Sequence, residues 1–212
     1  SQSTIATIIN SKFINNDAAG NGSAIYTQVD TDKANKIINC VFYGNKTKSA
    51  LYLRGAAVYN STIVNNDAGG VYIATKDAQI YNSVFWAENK SKATVSGVDV
   101  AGVEYKNNAS ITIPTFPNWT VADNIQLDTL ISETNYPYFA DPLNNDWTIT
   151  YKSPLLNAAS NSIAGVPTTD FLGLARPQGS AYDIGAYELP YCNITVTFNT
   201  GGTVNSYTSG DI

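Results

Sequence analysis

The sequence contains no histidine, and among its 212 residues only Cys40 and Cys192 are cysteines. Without histidine the chain lacks the commonest general base, the Ser-His and Cys-His nucleophile pairs, and every imidazole-ligated metal site. Two cysteines are too few for a disulfide framework or a zinc site. The sequence thus excludes several common kinds of catalytic and metal centre.

Charged residues are scarce as well, at 14% of the chain, and the formal net charge is −5. This charge gives no broad attraction to a polyanion, so we expect no nucleic-acid partner. No run of residues approaches the twenty apolar positions of a membrane span. The polar surface must come largely from Asn, Ser, Thr and Gly, a composition typical of an extended β architecture.

Four segments share one pattern: two apolar residues, Asn, a small residue, any residue and a large apolar residue. The segments are 8–13, 37–42, 58–63 and 80–85. Their asparagines, spaced by 29, 21 and 22 residues, are Asn10, Asn39, Asn60 and Asn82. A period near 21 to 22 residues is typical of a solenoid.

Two further landmarks recur in the same order. Six residues after the first three repeat asparagines stand Asn16, Asn45 and Asn66. Short segments of small residues ending in an apolar residue and Tyr follow at 22–26, 49–52 and 69–72. The runs are β-branched and aromatic without helical periodicity, which favours a β-solenoid. A leucine-rich repeat is the weaker alternative, because no Asn-centred segment contains leucine.

The repeat also predicts how the coils stack. If the chain bends between each Asn and the small residue after it, the asparagines of successive coils align. We therefore expect an internal ladder in which the amides hydrogen-bond to one another, formed by Asn10, Asn39, Asn60 and Asn82. Cys40 occupies the position that Ser fills on the other coils, which predicts a buried, unreactive thiol.

Two sets of motifs carry a family resemblance. The Phe-x-x-Asn strings at 13–16 and 42–45, with their Gly- and Ala-rich segments, resemble repeats of polymorphic outer-membrane and related bacterial β-helix surface proteins. The strings at 138–142, 146–149, 153–157, 170–173, 176–177 and 183–188 resemble the terminal region of choice-of-anchor-Q-type β-helix proteins. Asn157-Ala158-Ala159 departs from the Asp-Ala-Gly usual there. The resemblance implies an all-β, right-handed parallel β-helix that is extracellular or on the outer surface of a bacterium.

The chain accordingly divides into two parts. Residues 1–188 are predicted to form the coils and an irregular C-terminal cap, with 114–140 as an irregular excursion and 141–188 burying open strand edges. Residues 189–212 are predicted to be a linker and the truncated start of a small β module, which resembles an internalin-type B-repeat. Because the first repeat lies so near Ser1, we expect further coils before it in the full-length protein.

No catalytic residue, cofactor or metal ligand is predicted. Asp17 and Asp67 follow repeat asparagines, but Lys46 takes the equivalent place on the coil between them, so the acids are interpreted as turn residues. Arg54 is interpreted as a solvated side chain, and Arg176 as a partner of cap carboxylates. The acidic segments 30–32 and 144–146 match no calcium-binding loop and are typical of turns.

The sequence therefore favours a non-catalytic surface module that is adhesin-like or displays or binds a glycan or a host or cell-surface protein. One alternative is part of a polysaccharide lyase or glycoside hydrolase whose active coils lie upstream, and another is an architectural spacer. Outward-facing Tyr43 and Trp86 are predicted to stay partly exposed and to offer ring faces to sugars. The 114–188 tail is expected to cover the stripe that contains Tyr59 and Tyr81.

Overall fold

The apolar runs of this chain are short because Asn, Gly or Ser interrupts each of them and turns the backbone. The structure, a computed structural model, describes residues 5–28, 35–67, 69–92, 94–191, 194–195 and 206–207. Within these ranges the regular structure consists of strands of two to four residues and two short 3₁₀-helices, Lys90–Lys92 and Pro142–Asn144. No helix in the described part is long and apolar enough to cross a membrane.

The strands are numbered in chain order. The strands of the first four coils are β1 (Thr7–Ile9), β2 (Lys12–Ile14), β3 (Ile25–Tyr26), β4 (Asn35–Ile38), β5 (Val41–Tyr43), β6 (Leu51–Leu53), β7 (Ala56–Tyr59), β8 (Thr62–Val64), β9 (Val71–Ile73), β10 (Gln79–Tyr81), β11 (Val84–Trp86) and β12 (Val95–Gly97). The later strands are β13 (Glu104–Lys106), β14 (Ala109–Ser110), β15 (Thr120–Ala122), β16 (Ile125–Gln126), β17 (Phe139–Asp141), β18 (Asp146–Ile149), β19 (Ile194–Thr195) and β20 (Ser206–Tyr207).

Strands β1 to β16 form three parallel sheets. The first sheet has the order β1-β4-β7-β10-β13-β15, the second β2-β5-β8-β11-β14-β16 and the third β3-β6-β9-β12. Each of four coils therefore contributes one strand to every sheet, and two further levels contribute only to the first and second sheets. This topology confirms the predicted all-β parallel solenoid. The expectation that 114–140 is wholly irregular is wrong, since β15 and β16 in that range continue two sheets.

The core lies inside the coils and follows the repeat register. Ile37 pairs in register with Val58 and Val58 with Ile80, and all three are buried. On the second sheet, Phe42 is in register with Ile63 and Ile63 with Phe85. Each position thus stacks one coil on the next, and the buried residues of the four coils join into one apolar cluster.

The bend between the first and second sheets explains the repeat asparagines. Asn10, Asn39, Asn60 and Asn82 all have left-handed backbone, with φ between 43° and 51°. Asn tolerates this region better than other residues with a Cβ. The backbone N–H groups of Asn10, Asn39 and Asn60 each donate to a carbonyl group on the next coil, so the four asparagines do lie on successive coils. Asn39, Asn60 and Asn82 are buried, whereas Asn10 is exposed.

The hydrogen bonds of these asparagines differ from the expected ladder. Asn39 Nδ2 donates to the Thr169 carbonyl at 2.7 Å, and Asn82 exchanges two hydrogen bonds with the Ser160 backbone at 2.9 and 3.0 Å. Asn60 Nδ2 and Oδ1 are buried with no partner among the described residues. The left-handed bend turns these amides away from the coil interior, so Asn39 and Asn82 hold the C-terminal cap instead of each other.

An amide ladder does form, at the second set of asparagines. Asn16 Nδ2 donates to Asn45 Oδ1 at 2.8 Å, and Asn45 Nδ2 donates to Asn66 Oδ1 at 2.8 Å. Asn45 and Asn66 are buried, so each bond satisfies polar atoms that would otherwise lie unpaired. The small residues after the bend are also hydrogen-bonded from coil to coil: the backbone N–H of Cys40 donates to Ser61 Oγ at 3.2 Å.

The C-terminal cap packs against the side of the solenoid. Strands β17 and β18 form an antiparallel pair, and the chain after them lies over the outer face of the second sheet. Outward-facing Val64, Val84 and Trp86 are buried there against Trp147 and Ile184. Ile163 and Val166 reach Tyr59 and Tyr81, which are 5% and 6% exposed. The cap thus covers the expected stripe and, in addition, the stripe that contains Trp86.

A buried cluster of charges closes the cap. The Arg176 guanidinium donates to Glu188, to the carbonyl of Asp183 at 3.1 Å and to that of Gly185 at 2.8 Å. Asp170 accepts hydrogen bonds from three backbone N–H groups of the same region. Burial, together with the Asp183 charge and against the opposing effect of Arg176, raises the pKa of Glu188 to about 7. The predicted pairing of Arg176 with cap carboxylates thus involves Glu188.

The last predicted segment, 189–212, is described only in part. Strands β19 and β20 pair antiparallel, with Ile194 opposite Tyr207. The rest of the expected β module, including Cys192, lies outside the described residues, as do 29–34 with the acidic segment 30–32.

Candidate functional site

Trp86, one of the two predicted ligand residues, is fully buried at 0% exposure. Its indole Nε1 donates to the Asp128 carbonyl at 2.9 Å, and its ring meets Tyr136 and Phe139 edge-on. The alternation of β11 does turn this ring outward, as expected. Because the cap then covers it, however, the ring offers no face to a ligand.

Tyr43, the second predicted ligand residue, is half-buried. Its ring packs on Trp147 with centroids 6.0 Å apart and planes tilted by 52°. Tyr43 and Trp86 belong to the same apolar cluster under the cap, and the structure does not form an exposed surface from the pair. A row of partly exposed aromatic rings lies elsewhere, on the third sheet.

The third sheet carries a stack of three tyrosines. Tyr26, Tyr52 and Tyr72 occupy the same register on β3, β6 and β9. Ring centroids are 5.0 Å apart between Tyr26 and Tyr52 and 5.2 Å between Tyr52 and Tyr72, with planes inclined by only 10° and 14°. These distances are close to the spacing of parallel strands, so the sheet itself sets the stack.

Alternation along the strands turns these rings outward. Leu51 and Val71, which precede Tyr52 and Tyr72, are buried in the core. Tyr52 and Tyr72 are partly exposed, and Tyr26 at the end of the stack is 45% exposed. Stacked aromatic rings stabilise neighbouring coils by about 0.5–1.5 kcal/mol per pair beyond their area burial. The stack therefore has a structural role as well as an exposed surface.

A cleft of about 380 Å³ runs beside the last two tyrosines and crosses several coils. We call it the tyrosine cleft; it is lined by Asn21, Lys48, Ser49, Tyr52, Tyr72, Thr94 and Ser96. Apart from the tyrosine rings, these side chains offer hydroxyl, amide and ammonium groups. The volume lies within the range of small-molecule sites, and an apolar surface with a few polar groups is typical of such sites.

The backbone around the cleft adopts unusual conformations. Thr47 and Lys48 have φ values of 62° and 51°, and a β-branched residue in the left-handed region is strained. Thr47 Oγ1 donates to the Ala18 carbonyl at 2.6 Å, which holds this turn against the preceding coil. At the next level, Gly69 has a φ of 122°, and a Cβ there would lie 2.5 Å from Thr94 Oγ1, so the position favours glycine. Lys48 and Thr94 line the cleft at these two turns.

Sequence reasoning identified the segments 22–26, 49–52 and 69–72 as repeat landmarks but missed their tyrosines as a candidate site. The signal was the alternation itself, an aliphatic residue followed by Tyr at the same place on three coils. The same pattern predicts an outward ring at Trp86, so alternation alone does not distinguish an exposed ring from one that the cap covers.

The remaining polar candidates lie apart from the cleft or in turns. Asp67 pairs with Lys92 at 2.9 Å, and Asp17 Oδ1 lies 3.2 Å from Thr47 Oγ1, in keeping with turn residues. Arg54 is half-buried at the turn after β6. In 144–146, Asn144 is bonded to the capping Asp141. Across the described ranges, no three His, Cys, Asp or Glu side chains group closely enough to hold a metal ion.

A polar cluster also lies on the outer face of the first sheet. The Tyr81 hydroxyl donates to Glu104, which also accepts from Lys106 Nζ at 3.0 Å. Burial raises the pKa of Tyr81, and the hydrogen bond and charge of Glu104 raise it further. The raised pKa favours the protonated hydroxyl, which donates to Glu104.

Comparison with known proteins finds no similar family: no family model matches the chain, and no curated protein sequence or solved structure matches it significantly.

Proposed function

We propose that this chain is a non-catalytic β-solenoid module of a secreted or cell-surface bacterial protein, and that it binds glycans at the tyrosine cleft. The observation that carries the proposal is the stacked, partly exposed pair of Tyr52 and Tyr72 on a polar-rimmed cleft. Tyrosine rings combine an apolar face with a polar tip, which suits contacts with the mixed surface of a sugar ring. The location of the protein rests on the sequence resemblance to bacterial β-helix surface proteins.

The lining of the cleft favours a hydroxyl-rich ligand. Ser49, Thr94 and Ser96 carry hydroxyls that both donate and accept hydrogen bonds, and Asn21 adds an amide. Four coils contribute to the lining, and three steps of roughly 4.8 Å span about 14 Å along the solenoid axis. An extended oligomer fits this length better than a single compact molecule.

The test is a binding screen of the whole chain on a printed glycan array, followed by titration calorimetry with the best glycan. Replacing Tyr52 by Ala removes one wall of the cleft and should weaken binding by roughly tenfold or more. Tyr43→Ala is the matched control, because Tyr43 lies under the cap and away from the cleft. If the wild-type chain binds no glycan, or if both variants bind like wild type, the proposal fails.

The alternatives predict other results. An architectural spacer binds nothing on the array and loses only stability in the Tyr52 variant. A fragment of a lyase or hydrolase would bind the glycan that the full-length protein cleaves, so cleavage of the array hit by that protein would favour the enzyme.

A further inference from the structure

The tyrosine stack stops one coil before the sheet does. Strand β12 continues the third sheet, and Ser96 is in register with Tyr72. Val95 is buried and Ser96 is partly exposed, so Ser96 occupies the outward position that tyrosines hold on the three preceding coils. A small side chain here leaves the last level of the stack without a ring.

This missing ring leaves one face of Tyr72 uncovered. Tyr52 stacks on the other face at 5.2 Å, and Tyr72 and Ser96, which is the next residue in register, both line the cleft. The neighbouring strand lies roughly 4.8 Å away, which is about the separation of the rings already in the stack. A ring-shaped group of a ligand can therefore take the fourth position of the stack.

The groups around that position indicate which ring fits. Thr94 and Ser96 present hydroxyls at this level, and Lys48 and Ser49 present an ammonium and a hydroxyl farther along the cleft. An aromatic ligand ring would use the Tyr72 face but would leave these polar groups without partners. A sugar ring supplies a C–H face for the tyrosine and hydroxyls for the rim. The net charge of −5 gives no general attraction for an acidic sugar.

We infer that the uncovered face of Tyr72, at the level of Ser96, is the subsite for one neutral hexopyranose ring of the glycan; this inference rests on the function proposed above. Tyr72 supplies the stacking face, and Thr94 and Ser96 supply hydrogen bonds to the ring hydroxyls. The rest of the glycan extends along the cleft toward Lys48.

The decisive variant is Ser96→Tyr, which completes the stack with a fourth ring and fills the subsite. We expect this variant to weaken binding by roughly tenfold or more, while its melting temperature stays at or above that of wild type. Tyr72→Ala removes the face and should weaken binding to a similar extent. Tyr26→Ala is the matched control, since it removes the ring at the other end of the stack, outside the cleft, and should keep affinity within about twofold.

The measurement is titration calorimetry of the whole chain with neutral trisaccharides of glucose, mannose, galactose and N-acetylglucosamine, with adenosine as the aromatic probe. The subsite is supported if wild type binds a trisaccharide, the Ser96→Tyr and Tyr72→Ala variants do not, and the Tyr26→Ala variant does. If the trisaccharide binds and the Ser96→Tyr variant binds equally well, the subsite is overturned and the proposed function stands. If no trisaccharide binds, or only adenosine binds, both are overturned. If the Ser96→Tyr variant melts below wild type, the test relies on the other two variants. Equal loss of affinity in Tyr72→Ala and Tyr26→Ala then overturns the subsite.

Discussion

Replacing Arg176 by Met should destabilise the cap, because the guanidinium joins residues 183, 185 and 188 within it and reaches Asn39 of the solenoid only at 3.5 Å. The Arg176 side chain is fully buried together with that of Glu188, and Asp170 and Asp183 are buried nearby. Removing the cation would leave three carboxyl groups clustered without a positive charge, and two carbonyl groups without their donor. Breaking a buried ion pair from one side typically costs about 3–5 kcal/mol.

The assay is equilibrium unfolding in urea followed by tryptophan fluorescence. In a Trp119→Phe background, the remaining indoles, Trp86 and Trp147, are both buried between the cap and the second sheet. We expect Arg176→Met to lower the free energy of unfolding by about 3–5 kcal/mol. Limited proteolysis should then cut within 139–189 before it cuts the coils.

Two further variants separate charge from hydrogen-bond geometry. Arg176→Lys keeps the positive charge but loses the planar guanidinium that reaches Glu188 and two carbonyl groups at once. It should therefore be less stable than wild type and more stable than Arg176→Met. An Arg176→Met protein within about 1 kcal/mol of wild type, with an unchanged denaturant slope, would refute the view that this cluster fastens the cap.

Three other outcomes follow from the structure. The pKa of Glu188 is about 7 in the folded state, above its ordinary value of 4.5, so the stability that protonation of Glu188 contributes is complete below pH 4.5 and is lost as the pH rises to about 7. The free energy of unfolding should therefore fall across this pH range in wild type and less steeply in Glu188→Gln. Parallel pH profiles for the two proteins would count against this assignment. Asn45→Ala breaks the amide ladder and should lower the free energy of unfolding in urea by about 1–3 kcal/mol. Asn60→Gly should be nearly neutral, because the left-handed bend at Asn60 suits glycine. A larger loss of stability in Asn60→Gly than in Asn45→Ala would contradict the roles given to the two positions. Cys40→Ser should change the free energy of unfolding by less than about 1 kcal/mol, because Ser61 fills the same position one coil on. Cys40 itself should not react with a thiol reagent in the folded protein, so rapid labelling would show that the thiol is accessible.

Much of the fold was predictable because a solenoid is specified by local repetition. Each coil needs the same inward residues, so Ile37, Val58 and Ile80 recur at the same place, and the stacking of coils follows from the period. The left-handed bend after each strand selects Asn for its backbone conformation, a local property visible in the sequence. The partners of those amides were not predictable in this way, since Thr169 and Ser160 lie far along the chain.

The candidate site depended on tertiary structure. By itself the sequence determined which aromatic residues turn outward. Strand alternation points Trp86 away from the core on the second sheet, and it points Tyr72 away from the core on the third sheet. Only the tertiary structure decided which of these rings is exposed, because the cap buries Trp86 and leaves the third sheet open. Where the cap packs depends on contacts such as those of Arg176, which join distant segments and have no periodic signature.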